Sequence, residues 1–385
     1  MPIKLADINV CSGCAACASV CPTSSISMQM DNEGFLQPNI HEDSCVECHK
    51  CEKACPILKP LNISSDFATR VYAAINMNDD VRRRSSSGGI FYALSKWIIE
   101  HDGIVFGARF NDKWEVIHDC TETMNDLEPF LRSKYVQSRI GETFRQAKQF
   151  LEQGRWVLFS GTPCQVDGLK SFLKKDYDRL MAIDIICHGV PSVSVWRSYL
   201  SENFNMDDIS DINFRDKVDG WPGGQHITIL AAIANKSYSV SQMENVYYRG
   251  YVKNIYLRRS CYNCAFKSVG RCADFTLADF WGVQDIAPEM HDNKGTSAVF
   301  IHTQKGYDLL QRLKPTLKVS LQNIDEVLKH NACMVQSVKM PVRRSDFFRA
   351  FRLSRSFKYA AKYIDKDRLD RRMLNKFAEV LHVMR

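Results

Sequence analysis

The sequence predicts a small α+β module, an α/β body and a helical tail, in that order. Three observations carry this reading. Residues 11–22 and 45–56 are two copies of one twelve-residue pattern, "CSGCAACASVCP" and "CVECHKCEKACP". Through the middle of the chain, apolar runs of strand length alternate with runs whose apolar residues recur at helical spacing, the pattern of an α/β fold. Beyond residue 342, aromatic residues recur among basic ones in a helix-like pattern. The expected boundaries are 1–60 for the module, 68–150 and 151–342 for two parts of one body, and 343–385 for the tail.

Each copy of the repeat reads C-x2-C-x2-C-x3-C-P. Three thiolates two residues apart can wrap one face of a small cluster, while the fourth, turned away before its proline, reaches the cluster of the other copy. The expected ligation is therefore crossed. Cys11, Cys14, Cys17 and Cys55 hold one [4Fe–4S] cluster, and Cys45, Cys48, Cys51 and Cys21 hold the other. Gly13, Ala15, Ala16 and Ala18 are small enough to let main-chain N–H groups approach the inorganic sulfides. Disulfides or a pair of zinc knuckles are the alternatives, but zinc sites usually take two C-x2-C pairs. The segment resembles the bacterial two-cluster ferredoxin module over about residues 1–58.

A polar linker, "KPLNISSDFATR", leads into the body. Residues 71–76, 104–110 and 114–121 read as strands, and 82–89, "RRRSSSGG", as a polar loop before a helix that stops at Gly103. A helix over 142–154 precedes the buried strand "WVLFS", a tight turn at "GTPC" and a helix from "QVDGLK". The buried strand "LMAIDIIC" follows, then a turn at "HGVPS" and a helix from "VSVW". This alternation predicts a largely parallel sheet. Antiparallel strands are expected between 211 and 240, a helix over 244–260, and a strand then a helix over 297–313.

The chain has 385 residues, 45% hydrophobic and 25% charged, and 15 cysteines. Its first ten residues, "MPIKLADINV", have no apolar core or cleavage signature, and no apolar run approaches the roughly 20 residues of a membrane span. Cysteine-rich and without an export signal, the chain is expected in a reducing cytoplasm. The net charge is +7, yet residues 343–385 hold 13 Lys/Arg against 5 Asp/Glu. The basic character thus belongs to the tail, which argues against a nucleic-acid-binding body. The tail's Phe347, Phe348, Phe351, Tyr359, Tyr363, Phe377 and Leu381 would suit either packing on the body or peripheral contact with an anionic membrane or acidic partner.

Ligand sites in α/β sheets lie at the carboxyl ends of strands, and "SSSGG", "SGTPCQ" and "IICHG" fall there. The first offers hydroxyls and N–H groups to an anion. Cys164, at a helix start, could be a nucleophile, a ligand or inert. Cys261 and Cys264 form a C-x2-C pair that needs partners from elsewhere, and Cys164 and Cys187 stand at two strand ends. Four cysteines gathered there would make a third cluster site or a structural zinc site.

Taken together, "SSSGGIFYAL", "SKYVQS", "LFSGTPCQVDGLK", "IDIICHGVPS", "CYNCAFK" and "DFTLADFWG" resemble the coenzyme F420 hydrogenase/dehydrogenase beta-subunit family, in its version with an N-terminal two-cluster ferredoxin. The resemblance runs over about residues 1–340. It implies an α/β flavin-binding body with FAD beside a third [4Fe–4S] cluster held by Cys164, Cys187, Cys261 and Cys264. It also implies FAD contacts from Ser87, Gly88, Gly89 and Lys134, and a cytoplasmic oxidoreductase. Electrons would pass between a hydride-type carrier or ferredoxin and an organic acceptor. The alternative is a non-catalytic subunit relaying electrons to a partner enzyme. This chain departs from the family pattern by an insertion after the C-x2-C pair that adds Cys272, which leaves Cys164 and Cys272 as rivals for the fourth ligand. His188, beside Cys187, reads as a turn residue or as a second donor to the site.

Overall fold

A computed structural model describes residues 3–62, 67–232 and 236–365. The N-terminal module holds two short helices, Ala16–Val20 and Lys50–Lys53, and an antiparallel hairpin of β1 (Ile26–Met30) and β2 (Leu36–Ile40). Each helix follows a residue in the left-handed region, Ala15 at φ 63° and His49 at φ 55°. The two cysteine runs thus turn by the same device at equivalent positions.

The body is built on one sheet of eight strands: β3 (Arg70–Asn76), β4 (Ile104–Phe110), β5 (Val116–Thr121), β6 (Val157–Ser160), β7 (Leu180–Ile185), β11 (Phe275–Asp279), β12 (Ser297–Ile301) and β13 (Leu317–Gln322). A separate three-stranded antiparallel sheet of β8 (Ile209–Asp216), β9 (His226–Ala231) and β10 (Lys236–Ser241) interrupts the chain between β7 and β11. In space the large sheet runs β13-β3-β12-β11-β7-β6-β4-β5. Only the central four strands are parallel: β4 to β6, β6 to β7, and β7 to β11. The flanks are antiparallel, so the expected largely parallel sheet is parallel at its centre alone. Burial on both faces extends past the parallel strands to the antiparallel β12, which is buried along its whole length, and to β3, buried at all but its first residue.

Three local expectations change. Asp79–Arg84 is a short helix capped by Asn78, which takes in the arginines read as loop. The helix after β6 begins at Pro163 rather than at Gln165, with Cys164 in its first turn, at the helix start where it was expected. The helix expected over 244–260 is confined to Val246–Val252. Asn254, at φ 61°, and a one-turn helix at Arg259–Asn263 break the rest.

Module and tail are built into the body. Cys14, Ala15 and Ala16 pack in one core with Phe106, Phe144 and Phe159. Phe35 of the hairpin shares another core with Phe347, Phe348 and Phe351. The fully buried Arg258 donates to Cys11 O at 2.7 Å, Leu36 O at 2.9 Å and Gln37 Oε1 at 2.9 Å. The tail is helical at Arg344–Ser354 and Phe357–Ala361. Its aromatic side chains Phe347, Phe348, Phe351 and Phe357 are buried on the body, while Tyr359 is exposed. Phe377 and Leu381 lie outside the described residues. Among the described residues, no helix is long and apolar enough to cross a membrane.

Candidate functional site

The N-terminal thiols fall into two neighbourhoods. Burial pushes the Cys14 thiol up to about 12, and the like charges of Cys11 and Cys55 add to it. Burial raises Cys17 well above the ordinary thiol range, with Cys14, Cys11 and Cys55 as its charged neighbours. Cys55 is raised by burial, and Cys11 adds to it. Cys51 instead has Cys21 as its cysteine neighbour, behind burial and Glu52. The fourth cysteine of each run thus sits with the other run, as crossed ligation requires. Buried thiols packed this way ionise only beside compensating positive charge.

In the body, the ends of two adjacent parallel strands and a loop bring four cysteines together. Cys164 stands in the first turn after β6, Cys187 just beyond β7, and Cys261 and Cys264 on the turn at Arg259–Asn263. All four line one small cavity, whose wall also includes Val10, Ser12 and Ile57 of the module. The charged neighbours of Cys164 are Cys264, Cys187 and Cys14. Burial pushes Cys187 up to about 12 and Cys261 up to about 11. The four thiols ring a space rather than meet at a point. Among the described residues, no three His, Cys, Asp or Glu side chains are gathered tightly enough to hold a single metal ion. Cys272 is turned elsewhere, its thiol donating to Asp167 Oδ1 at 2.6 Å. The geometry therefore groups Cys164, not Cys272, with the other three.

A larger cavity of about 610 Å³ opens on the far side of Cys187. That is within the range of small-molecule and cofactor sites. Cys187, His188, Gly189 and Val190 line both cavities. The serine–glycine loop also lines the larger one, through Ser87 and Gly89. Gly89, at φ 81°, opens the helix Ile90–Glu100. Ser86 Oγ accepts from Ser133 N at 2.8 Å and so ties this loop to "SKYVQS".

Two of the expected contacts are differently occupied. Gly88 turns its N–H to Ser297 Oγ at 3.0 Å. It is glycine for packing, since a Cβ there would lie 2.4 Å from Ala74 O. Lys134 lines the cavity, but its ammonium is held by Pro129 O at 2.7 Å, Leu131 O at 2.5 Å and Arg132 O at 3.3 Å. Burial, with Arg132 adding to it, lowers its pKa to about 7. His188 faces both cavities; its Nε2 meets Asn254 Oδ1 at 2.6 Å and its Nδ1 lies 3.7 Å from Cys333 Sγ.

His118, Arg215, Tyr248, Tyr251, Asp279 and Cys333, not singled out from the sequence, also line the larger cavity. Asp279 ends β11 inside the stretch "DFTLADFWG", so a strand-end carboxylate was there to be read. The others come from segments far apart in the chain and carry no local signal.

Residues 10–57 match the family described as "4Fe-4S dicluster domain", and residues 154–327 match the C-terminal domain of the family described as "Coenzyme F420 hydrogenase/dehydrogenase, beta subunit". The chain is 24% identical over 208 residues to uncharacterized protein MJ1349 of Methanocaldococcus jannaschii, a match over 45% of this chain and 56% of that protein. It thus spans little more than half the length of this curated relative. A solved chain of the F420-reducing [NiFe] hydrogenase complex from Methanosarcina barkeri aligns over 71% of this chain and 92% of its own, at 14% identity and a TM-score of 0.48. The chain thus carries an N-terminal segment that matches a 4Fe-4S dicluster domain, followed by a body segment that matches the C-terminal domain of the coenzyme F420 hydrogenase/dehydrogenase beta-subunit family.

Proposed function

We propose that the chain is an FAD-dependent oxidoreductase that moves electrons between a hydride-type carrier or ferredoxin and an organic acceptor. A third [4Fe–4S] cluster, at Cys164, Cys187, Cys261 and Cys264, would lie between the flavin and the dicluster module. One observation carries this reading: the large cavity and the four-cysteine cavity share the wall Cys187–Val190. The second cavity in turn reaches Val10, Ser12 and Ile57 of the module. A flavin bound in the large cavity would take two electrons as hydride and release them singly, which clusters carry.

The chain's own residues supply the path. Gly89 and the helix it opens present main-chain polarity to an anionic cofactor end. Cys187 and the turn after it form the thin partition between the cavities. Cys14 packs against Gly168 of the Cys164 helix, where a Cβ would meet its Sγ at 3.1 Å. Within the module, Cys48 of the second run is exposed. That is the natural side for an electron-exchange protein, a ferredoxin or a partner oxidoreductase.

Anaerobic purification followed by iron and flavin assay tests the reading. About twelve iron atoms and one FAD per chain are expected, three clusters of four irons each. The flavin absorbance should bleach with a reduced deazaflavin or nicotinamide. Iron without any flavin would overturn the enzymatic reading in favour of an electron-relay role. The occupied Lys134 ammonium and Gly88 N–H are the features that favour that second reading.

A further inference from the structure

The large cavity is bounded on one side by a buried ion pair. Arg215, on β8, donates through Nη1 to Asp279 Oδ2. The two side chains are only 7% and 10% exposed, and both line the cavity. Trp281 lies against the guanidinium, its ring centroid 5.6 Å from the Arg215 central carbon. The pair is incomplete. Arg215 Nε, Arg215 Nη2 and Asp279 Oδ1 are buried and have no hydrogen-bond partner. Bare polar atoms of this kind are rare in folded proteins and call for a partner.

Their combination is selective. The pair offers two bare donors and one bare acceptor, and its charges cancel. A phosphate or carboxylate offers acceptors alone and would meet the Asp279 carboxylate as a like charge. A neutral edge with C=O next to N–H satisfies both partners at once. We propose that Arg215 and Asp279 read the imide or lactam edge of a planar heterocycle, the chemistry shared by the pyrimidine-dione rings of flavins and deazaflavins. Ring carbonyl oxygen accepts from Arg215, ring N–H donates to Asp279, and no covalent bond changes. This inference rests on reading the cavity as a flavin site and assigns the ring's end of it.

Equilibrium dialysis of the full cluster-loaded chain against riboflavin, FAD and ADP, under anaerobic conditions, tests it. The double variant Arg215→Met/Asp279→Leu removes both charges together, so no buried ion is stranded. Its Kd for riboflavin and for FAD should rise by the same factor, at least about tenfold, the scale of one lost charged hydrogen bond. Its affinity for ADP, which lacks the ring edge, should not change. Asp279→Asn should weaken both flavins as well. Unchanged flavin affinity in both variants overturns the inference alone. Tighter flavin binding by Asp279→Asn also overturns it, since Arg215 would then be gripping an anion. A wild-type chain that binds neither flavin overturns the flavin reading itself.

Discussion

Replacing Glu33 with alanine should loosen the iron–sulfur module from the body. Glu33 lies on the turn of the module's hairpin and is 6% exposed. Its carboxylate receives Arg344 Nη2 at 2.5 Å and Nη1 at 3.1 Å, and Arg259 Nη2 at 2.7 Å. Arg344 is itself buried and begins a tail helix, so one carboxylate ties the module, the loop of the C-x2-C pair and the tail. Burial alone would raise the Glu33 pKa, but the bonds from Arg344 and Arg259 pull it below the usual carboxylate range. Alanine would remove the carboxylate from the buried Arg344, which would still donate to Leu257 O at 3.0 Å. Stranding a buried charge costs about 3–5 kcal/mol. The half-exposed Arg259 would add about 1 kcal/mol at most. For a chain of 385 residues that is a fall in Tm of roughly 6 °C, read as loss of cluster absorbance on anaerobic heating. Glu33→Leu with Arg344→Met should recover most of the loss, because no ion is then left buried. A single variant that melts within a degree or two of the wild type would refute the argument.

Cys164→Ala should lose about four iron atoms, one cluster's worth, whereas Cys272→Ala should keep all its iron; equal losses would make Cys272 a ligand after all. Cys14→Ala should also lose about one cluster, and unchanged iron would exclude the crossed ligation. His118 is buried, and burial, with Lys134 adding to it, lowers its pKa to about 4, so folding favours the neutral ring. Its contribution is present above the unfolded value near 6.5 and is lost as pH falls towards 4, about 3 kcal/mol in all. Measured as wild type minus His118→Phe, stability should drop across that window; a flat difference would show that the ring is already charged. A chain starting at residue 61 should aggregate, because it exposes the core that Cys14, Ala15 and Ala16 complete; a soluble, iron-bearing product would refute that packing.

The amino-acid sequence by itself determined what depends on near neighbours in the chain. The thiol spacing of each N-terminal run is local, so the two runs were legible as a dicluster pattern from spacing alone. The same holds for β6, β7 and the helices after them, where apolar runs and turn residues are contiguous. A mixed α/β chain with an N-terminal iron–sulfur segment followed from these. Tertiary structure decided everything that needs distant segments to meet. Cys164 and Cys272 are equally plausible as isolated thiols. Only the placement of Asp167 beside Cys272, and of Cys264 and Cys187 beside Cys164, separates them. Lys134 reads as a free cation until the carbonyls of its own loop fold around it. The outer strands of the sheet pair antiparallel because their connections return them in that sense, which periodicity does not encode. Arg215 and Asp279 meet across 64 residues, and neither carries a motif, because a buried ion pair is defined by distance and desolvation.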